Sequence, residues 1–191
     1  MKTTNAYIKI ALPLLAAAIL TATPGRADTY SWTNFQSDIA GVAQHTDPNL
    51  VNPWGMSTPS STGPIWVSDN GTGVSTLYAR NGTANALIVT IPGKDSHHPG
   101  NPTGQVFNNT GFFKVTKNGN SLTSRFIFVN EDGTISGWNP ALGGGTNAIV
   151  AVRAKGPAVY KGATLGVASG HDFYLLLGRC PRLKLRLRLW R

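Results

Sequence analysis

The sequence predicts an all-β chain, a β-propeller fragment with two four-stranded antiparallel units and part of a third. Three observations carry that expectation. Short runs rich in β-branched and aromatic residues are separated by clusters of Gly, Asn, Pro and Ser, with no helical period after the leader. The run-turn-run GPIWVSDNGTGVSTLY at 63–78 returns as FIFVNEDGTISGW at 126–138. A glycine opens each unit (Gly55, Gly104 and Gly162), at separations of 49 and 58 residues. A repeat of that length built from four short strands is the sequence signature of a propeller. Short strands alone would equally suit a two-sheet sandwich. The recurring pair, an opening glycine and then an aromatic strand closed by an acidic Gly turn, favours the propeller.

Residues 1–27 read as a secretory signal peptide. Lys2 and Lys9 supply a positive start, residues 10–22 form an apolar run of 13, and Gly25 and Ala27 place small residues ahead of a cut before Asp28. Thirteen apolar residues fall short of the roughly 20 that a spanning helix needs. The expected product is exported, extracellular or periplasmic, with no transmembrane span. Residues 28–48 are polar and aromatic and form a leading segment that could supply an edge strand.

The first unit follows. Pro53 holds Asn52 extended and Gly55 permits close backbone approach, so 54–57 is its first strand. Strands at 64–69, 74–78 and 86–91 complete a meander, with Asp69, Asn70 and Gly71 turning the chain between the second and third. The second unit opens at Asn101-Pro102-Thr103-Gly104, and strands are expected at 105–108, 112–115, 124–130, 134–138 and 148–152. The third opens at Tyr160-Lys161-Gly162, with a strand at 163–167. Gly55 to Trp66 and Gly162 to Phe173 are both 11 residues, whereas Gly104 to Phe128 is 24.

The net charge of +9 is unevenly placed. Three cations lie in the leader and six in the last 13 residues. Between residues 28 and 178, eight Lys and Arg balance all eight Asp and Glu. A neutral body lacks the fold-tied basic patch of a nucleic-acid binder. The single cysteine, Cys180, lies outside that body, which therefore has neither disulfide nor thiol chemistry.

The segments NPWGMS, GPIWVSDNGTGVSTLY, NPTGQVFN, FIFVNEDGTISGWNP and AVYKGATLG, in that order, resemble a family of exported, NHL-like bacterial β-propeller proteins. The resemblance covers about residues 30–173. It implies a multi-bladed propeller and export, and it brings no catalytic residues to carry over. The chain departs from the pattern at its C-terminal end. Where the third unit should show the acidic turn it reads YLLLGRCPRLKLRLRLWR. This divides the chain into a leader at 1–27, a partial propeller at 28–173 and a cationic tail at 174–191. The leading explanation is a lost reading frame near residues 173–177, giving a C-terminally truncated product. The alternative is a cationic amphipathic strand, because Arg/Leu alternation puts charge on one face; such a strand would suit an anionic lipid surface. A fragment would leave outer sheet faces open, so poor solubility is expected of this chain alone.

Asp69, Glu131 and Asp132 fall on corresponding turns and could form an acidic rim able to hold Ca²⁺. Turn chemistry, in which Asp and Asn accept backbone hydrogen bonds and Gly supplies the positive φ, is the favoured account of them. Trp54, Trp66 and Trp138 could form a sugar-binding platform or pack between sheets. His97 and His98 lie in a Pro/Gly loop without metal-ligand spacing, and no GxSxG, P-loop or dinucleotide fingerprint occurs. The function expected is therefore a non-catalytic binding or scaffold protein for a protein, glycan or surface ligand. The competing expectation is a metal-assisted hydrolase or lyase, which rests on fold analogy alone.

Overall fold

The computed structural model describes residues 29–95, 97–168, 172–180 and 186–188, with side chains through residue 166. The leader lies outside the described residues, and of the tail only strand backbone is described. The chain divides into two compact units, 1–32 and 33–191, and every strand belongs to the second. That unit is all-β, with no α-helix among the described residues. Among the described residues, no helix is long and apolar enough to cross a membrane.

Strands β1 (Gln36–Ser37) and β2 (His45–Thr46) pair in parallel in the leading segment. The first antiparallel sheet is a meander of β3 (Pro53–Ser57), β4 (Ile65–Asp69), β5 (Val74–Tyr78) and β6 (Val89–Thr90). Strand β7 (Pro102–Phe107) opens the second sheet. A hairpin of β8 (Lys114–Lys117) and β9 (Asn120–Thr123) then leaves that sheet. The second sheet resumes with β10 (Phe126–Asn130), β11 (Thr134–Trp138) and β12 (Ile149–Arg153), in the order β12-β11-β10-β7. Strands β13 (Val159–Ala168), β14 (Asp172–Cys180) and β15 (Arg186–Arg188) make a third, three-stranded antiparallel sheet. The β8-β9 insertion explains why Gly104 to Phe128 is longer than its counterparts. Its Asn118-Gly119 turn holds φ of 52° and 81°, the left-handed geometry of a tight hairpin. A 3₁₀ turn, Gly143–Gly145, sits in the loop before β12.

The sheets stack through alternate side chains of β10, all of whose residues are buried. Phe126 and Phe128 pack back toward the first sheet with Trp66, Leu77, Val89, Ile91, Trp138 and Ala148. Ile127 and Val129 pack forward with Phe113, Ile135 and Tyr160, against which Ala163 and Leu165 of β13 also pack. The Trp66 ring stacks on Phe126 at 3.9 Å between centroids and 20° between planes. Trp138 lies 4.8 Å from Trp66 and donates its indole N–H to the Gly145 carbonyl at 2.7 Å. A stacked aromatic pair contributes about 0.5–1.5 kcal/mol beyond its buried area.

The far face of the first sheet carries Ile65, Val67 and Asp69, the alternate set to Trp66 and Ser68. The leading segment covers part of it. Gln36 Nε2 donates to the Gly82 carbonyl at 2.7 Å, Tyr78 donates its phenol to Asp47 Oδ2 at 2.8 Å, and Thr72 donates its hydroxyl to the Asn49 carbonyl at 2.7 Å.

Each sheet opens with a bulge at the recurring glycine. In β3 the register slips between Pro53 and Met56, across Trp54-Gly55. In β7 Gln105 faces Phe128 and Pro102 faces Asn130, so Thr103 and Gly104 together oppose the single Val129, one residue in surplus. In β13 the slip falls at Lys161, between Tyr160 and Gly162. The glycines mark where these opening strands converge. A Cβ on Gly55 would stand 2.4 Å from the Thr103 carbonyl oxygen, and one on Gly104 would stand 2.4 Å from the Ala163 amide nitrogen. Both contacts are with backbone that has no room to give. Gly162, at the end of the series, has no described atom within 4 Å of such a Cβ.

Candidate functional site

A bulge re-aims the side chain of its extra residue. Here the three bulged residues Trp54, Thr103 and Lys161 line one cleft, together with Pro53, the three glycines and Ala163. The cleft encloses about 410 Å³. Thr103 is buried and staples two opening strands, donating its hydroxyl to the Tyr160 carbonyl at 2.8 Å. Trp54 is 43% exposed. The Lys161 ammonium stands 4.8 Å from its ring centroid, a cation–π contact that contributes about 0.5–1 kcal/mol at an exposed site.

Lys161 also pairs with Glu131, in the turn after β10. The Lys161 ammonium holds the Glu131 carboxyl below its ordinary range, with a further contribution from Asn70. Asn70 occupies the matching turn of the first sheet, and its Nδ2 reaches both Glu131 Oε2 and the Pro102 carbonyl at 3.3 Å. Asn52 donates to Asn70 Oδ1 at 3.0 Å, and Asn101 Nδ2 donates to the Asn70 carbonyl at 3.1 Å. The two Asn-Pro motifs thus tie the turns at the mouth of the cleft. An aromatic face, a cation, an anion and amides from all three sheets converge there.

The predicted residues separate. Trp54 and Glu131 belong to this mouth, joined through Lys161. Trp66 and Trp138 are only 3% and 6% exposed, so of the two readings of the three tryptophans, packing between sheets holds for these two and a shared platform is absent. Those two side chains pack between the first and second sheets because stacking on Phe126 removes a large apolar area from water. The three carboxylates do not share a rim. Asp132 accepts from the Thr134 amide through Oδ1 at 2.9 Å and from the Lys94 amide through Oδ2 at 2.7 Å, beside Asp95 and His98. Asp69 is the last residue of β4 rather than part of the turn, and it is fully buried. No group of three or more His, Cys, Asp or Glu converges among the described residues.

Asp69 has its own surroundings. Its Oδ2 accepts from the Thr76 amide at 3.1 Å and the Thr76 hydroxyl at 2.8 Å, while Oδ1 has no partner. Burial pushes its carboxyl up to about 7; the Thr76 bonds oppose that shift and the nearby Asp47 charge adds to it. Tyr78 is raised as well, first by burial. Asn130 holds the matching position in the second sheet, also buried with an unpartnered Oδ1, and its Nδ2 donates to the Pro92 carbonyl at 2.9 Å. At the exposed Asp95, hydrogen bonding to His98 lowers the carboxyl to about 2.

Sequence reasoning missed Lys161 and Asn70 as site residues. The signal for Lys161 was available, since it precedes the third recurring glycine as Trp54 precedes the first.

No family model matches the chain. Two proteins of Acanthamoeba polyphaga mimivirus, each named only as an uncharacterized protein, are similar to it. One is 32% identical over 121 residues, covering 62% of this chain and 29% of the relative. The other is 34% identical over 102 residues, covering 53% and 26%. The matched stretch is thus under a third of either relative's length. Among solved structures, the BBS1N chain in a crystal structure of its complex with ARL6DN aligns with 68% of this chain and 34% of its own length. That alignment has a TM-score of 0.41 and 17% identity.

Proposed function

We propose that the chain is a fragment of a β-propeller, two blades and part of a third, that serves as an exported binding protein holding a glycan at its hub. The observation behind this reading is the alignment of three corresponding bulges on one cleft. Propeller blades radiate from a central channel with their first strands innermost. The close approach of β3, β7 and β13 at Gly55 and Gly104 fits that arrangement. The half-exposed Trp54 offers an apolar face of the kind that sugar rings stack on. Lys161, Glu131 and Asn70 surround it with donors and acceptors for hydroxyl groups. A lining that is largely apolar, with a few placed polar groups, is what small-ligand clefts present. Export rests on the leader at 1–27.

The test is a glycan array probed with the full chain and with Trp54→Ala. Trp54 stands largely outside the packed core, so the variant should keep its far-ultraviolet circular dichroism. The reading requires a glycan class that the parent binds and Trp54→Ala loses by about tenfold or more, an effect of about 1.4 kcal/mol. Binding that survives the substitution, or no glycan bound at all, overturns it.

A further inference from the structure

A second cleft lies on the far face of the first sheet, where the leading segment crosses it. It holds about 240 Å³ and is lined by apolar side chains including Phe35, Leu50, Met56, Ile65, Val67 and Tyr78. Met56 is 70% exposed and Phe35 42%, so the apolar lining is open to solvent at one side. The cation in the lining is Arg80. Its Nη2 donates to the Thr58 hydroxyl at 3.3 Å and to the Ser60 carbonyl at 3.1 Å, both neutral acceptors. No carboxylate pairs with it among the described residues, and its Nη1 and Nε have no hydrogen-bond partner there. The nearby carboxylate of Asp47 is already engaged by the Tyr78 phenol and the Asn49 amide.

We propose that this cleft binds a medium-chain carboxylate, with its hydrocarbon chain along Met56, Ile65 and Val67 and its head group on Arg80. Size and charge both lead there. A volume of 240 Å³ accommodates roughly eight groups of about 30 Å³, the share a water molecule takes in the liquid and close to that of a methylene. A guanidinium fork matches a carboxylate in planar, two-point geometry, which an ammonium does not. An apolar wall removes the chain from water while the head stays at the solvent edge, as amphipathic groups require. The site shares only Pro53 with the hub cleft, and neither Arg80 nor Met56 takes part in the Trp54–Lys161–Glu131 contacts.

The experiment is calorimetric titration of the full chain with octanoate and, separately, with 1-octanol, which has the same chain length and no charge. The expected result is saturable binding of one octanoate per chain, with octanol weaker by about tenfold, the scale of a charged hydrogen-bond pair. Arg80→Gln should bring octanoate down to the octanol level and leave octanol unchanged. Met56→Glu, at an exposed position, should weaken both. The octanoate-to-octanol ratio on the parent chain needs no variant to fold. Equal binding of the two ligands overturns the proposal. So does octanoate affinity unchanged in Arg80→Gln. Absence of saturable octanoate binding, including by a chain that sediments as a dimer over this face, overturns it as well.

Discussion

Asp69 makes stability fall as pH rises toward neutrality. The folded state holds this carboxyl at about 7, against 3.8 for an unperturbed aspartate, because burial penalises the charge more than Thr76 relieves it. Between those values the folded chain binds more protons than the unfolded chain, so the unfolding free energy declines with pH. The decline is complete once pH passes the folded value. A shift of about three units at about 1.36 kcal/mol each amounts to about 4 kcal/mol in full, of which about 3 falls above pH 5. Set against a typical domain stability of about 5–15 kcal/mol, that is a large share. Urea unfolding at about pH 5 and about pH 8 reads it directly, and with a slope near 2 kcal/mol per molar the midpoint should drop by about 1.5 M. Asp69→Asn isolates the cause. Its amide oxygen can keep both Thr76 bonds, while its NH₂ takes the place of an oxygen that has no partner. That buried amide costs about 1–3 kcal/mol at acid pH, but it does not titrate. The variant should be the less stable protein near pH 5 and draw level or move ahead near pH 8. If parent and variant lose stability in parallel across this range, the assignment to Asp69 is wrong.

Two further substitutions test the packing. Gly104→Ala should destabilise by about 1–3 kcal/mol or prevent folding, because its Cβ meets the backbone of Gly162 and Ala163. Gly162→Ala should change stability by no more than about 0.5 kcal/mol, since its Cβ would meet no atom among the described residues; chemical denaturation of the pair measures the contrast. Trp66→Ala, which removes the ring between Phe126 and Trp138, should cost about 3–5 kcal/mol in the same assay.

The strands that sequence reasoning locates well are those where alternation and turn chemistry agree. Strands 74–78 and 134–138 coincide with β5 and β11, each placed by the acidic Gly turn before it. The strand expected at 86–91 shrinks to Val89–Thr90, since Asn85 Oδ1 turns the backbone by accepting from the Leu87 amide. The β8-β9 hairpin carries a clear signal, Asn118-Gly119 between two strand-like runs. Sequence reasoning places a strand at 112–115 but pairs nothing with it, whereas the structure pairs 114–117 with 120–123. Matching Trp66 to Phe128 is off by one residue. The register sets Val67 opposite Met56 and Phe128 opposite Gln105, so Trp66 corresponds to Ile127, and both face the following sheet. A one-residue slip exchanges the two faces of a strand, and composition alone cannot choose between them when both faces are buried. The buried carboxyl at Asp69 is illegible for a related reason. Its position beside a turn reads as exposed, whereas it ends a strand flanked by β3 and β5, with Asp47 of the leading segment nearby.

The recurring glycine and the residue before it answer to different constraints, and this is why a repeat read from sequence locates the cleft without disclosing its chemistry. At Gly55 and Gly104 the backbone of the next opening strand comes so close that any side chain would collide with it. The bulge that accommodates this approach turns the preceding side chain toward the cleft. Nothing in the approach itself dictates what that side chain must be. In this chain the position holds a tryptophan, a threonine and a lysine: the buried threonine bonds to the next opening strand, while the lysine meets the tryptophan ring and pairs with Glu131. The glycine thus fixes how closely the opening strands approach, while the residue before it sets which chemical group the cleft presents.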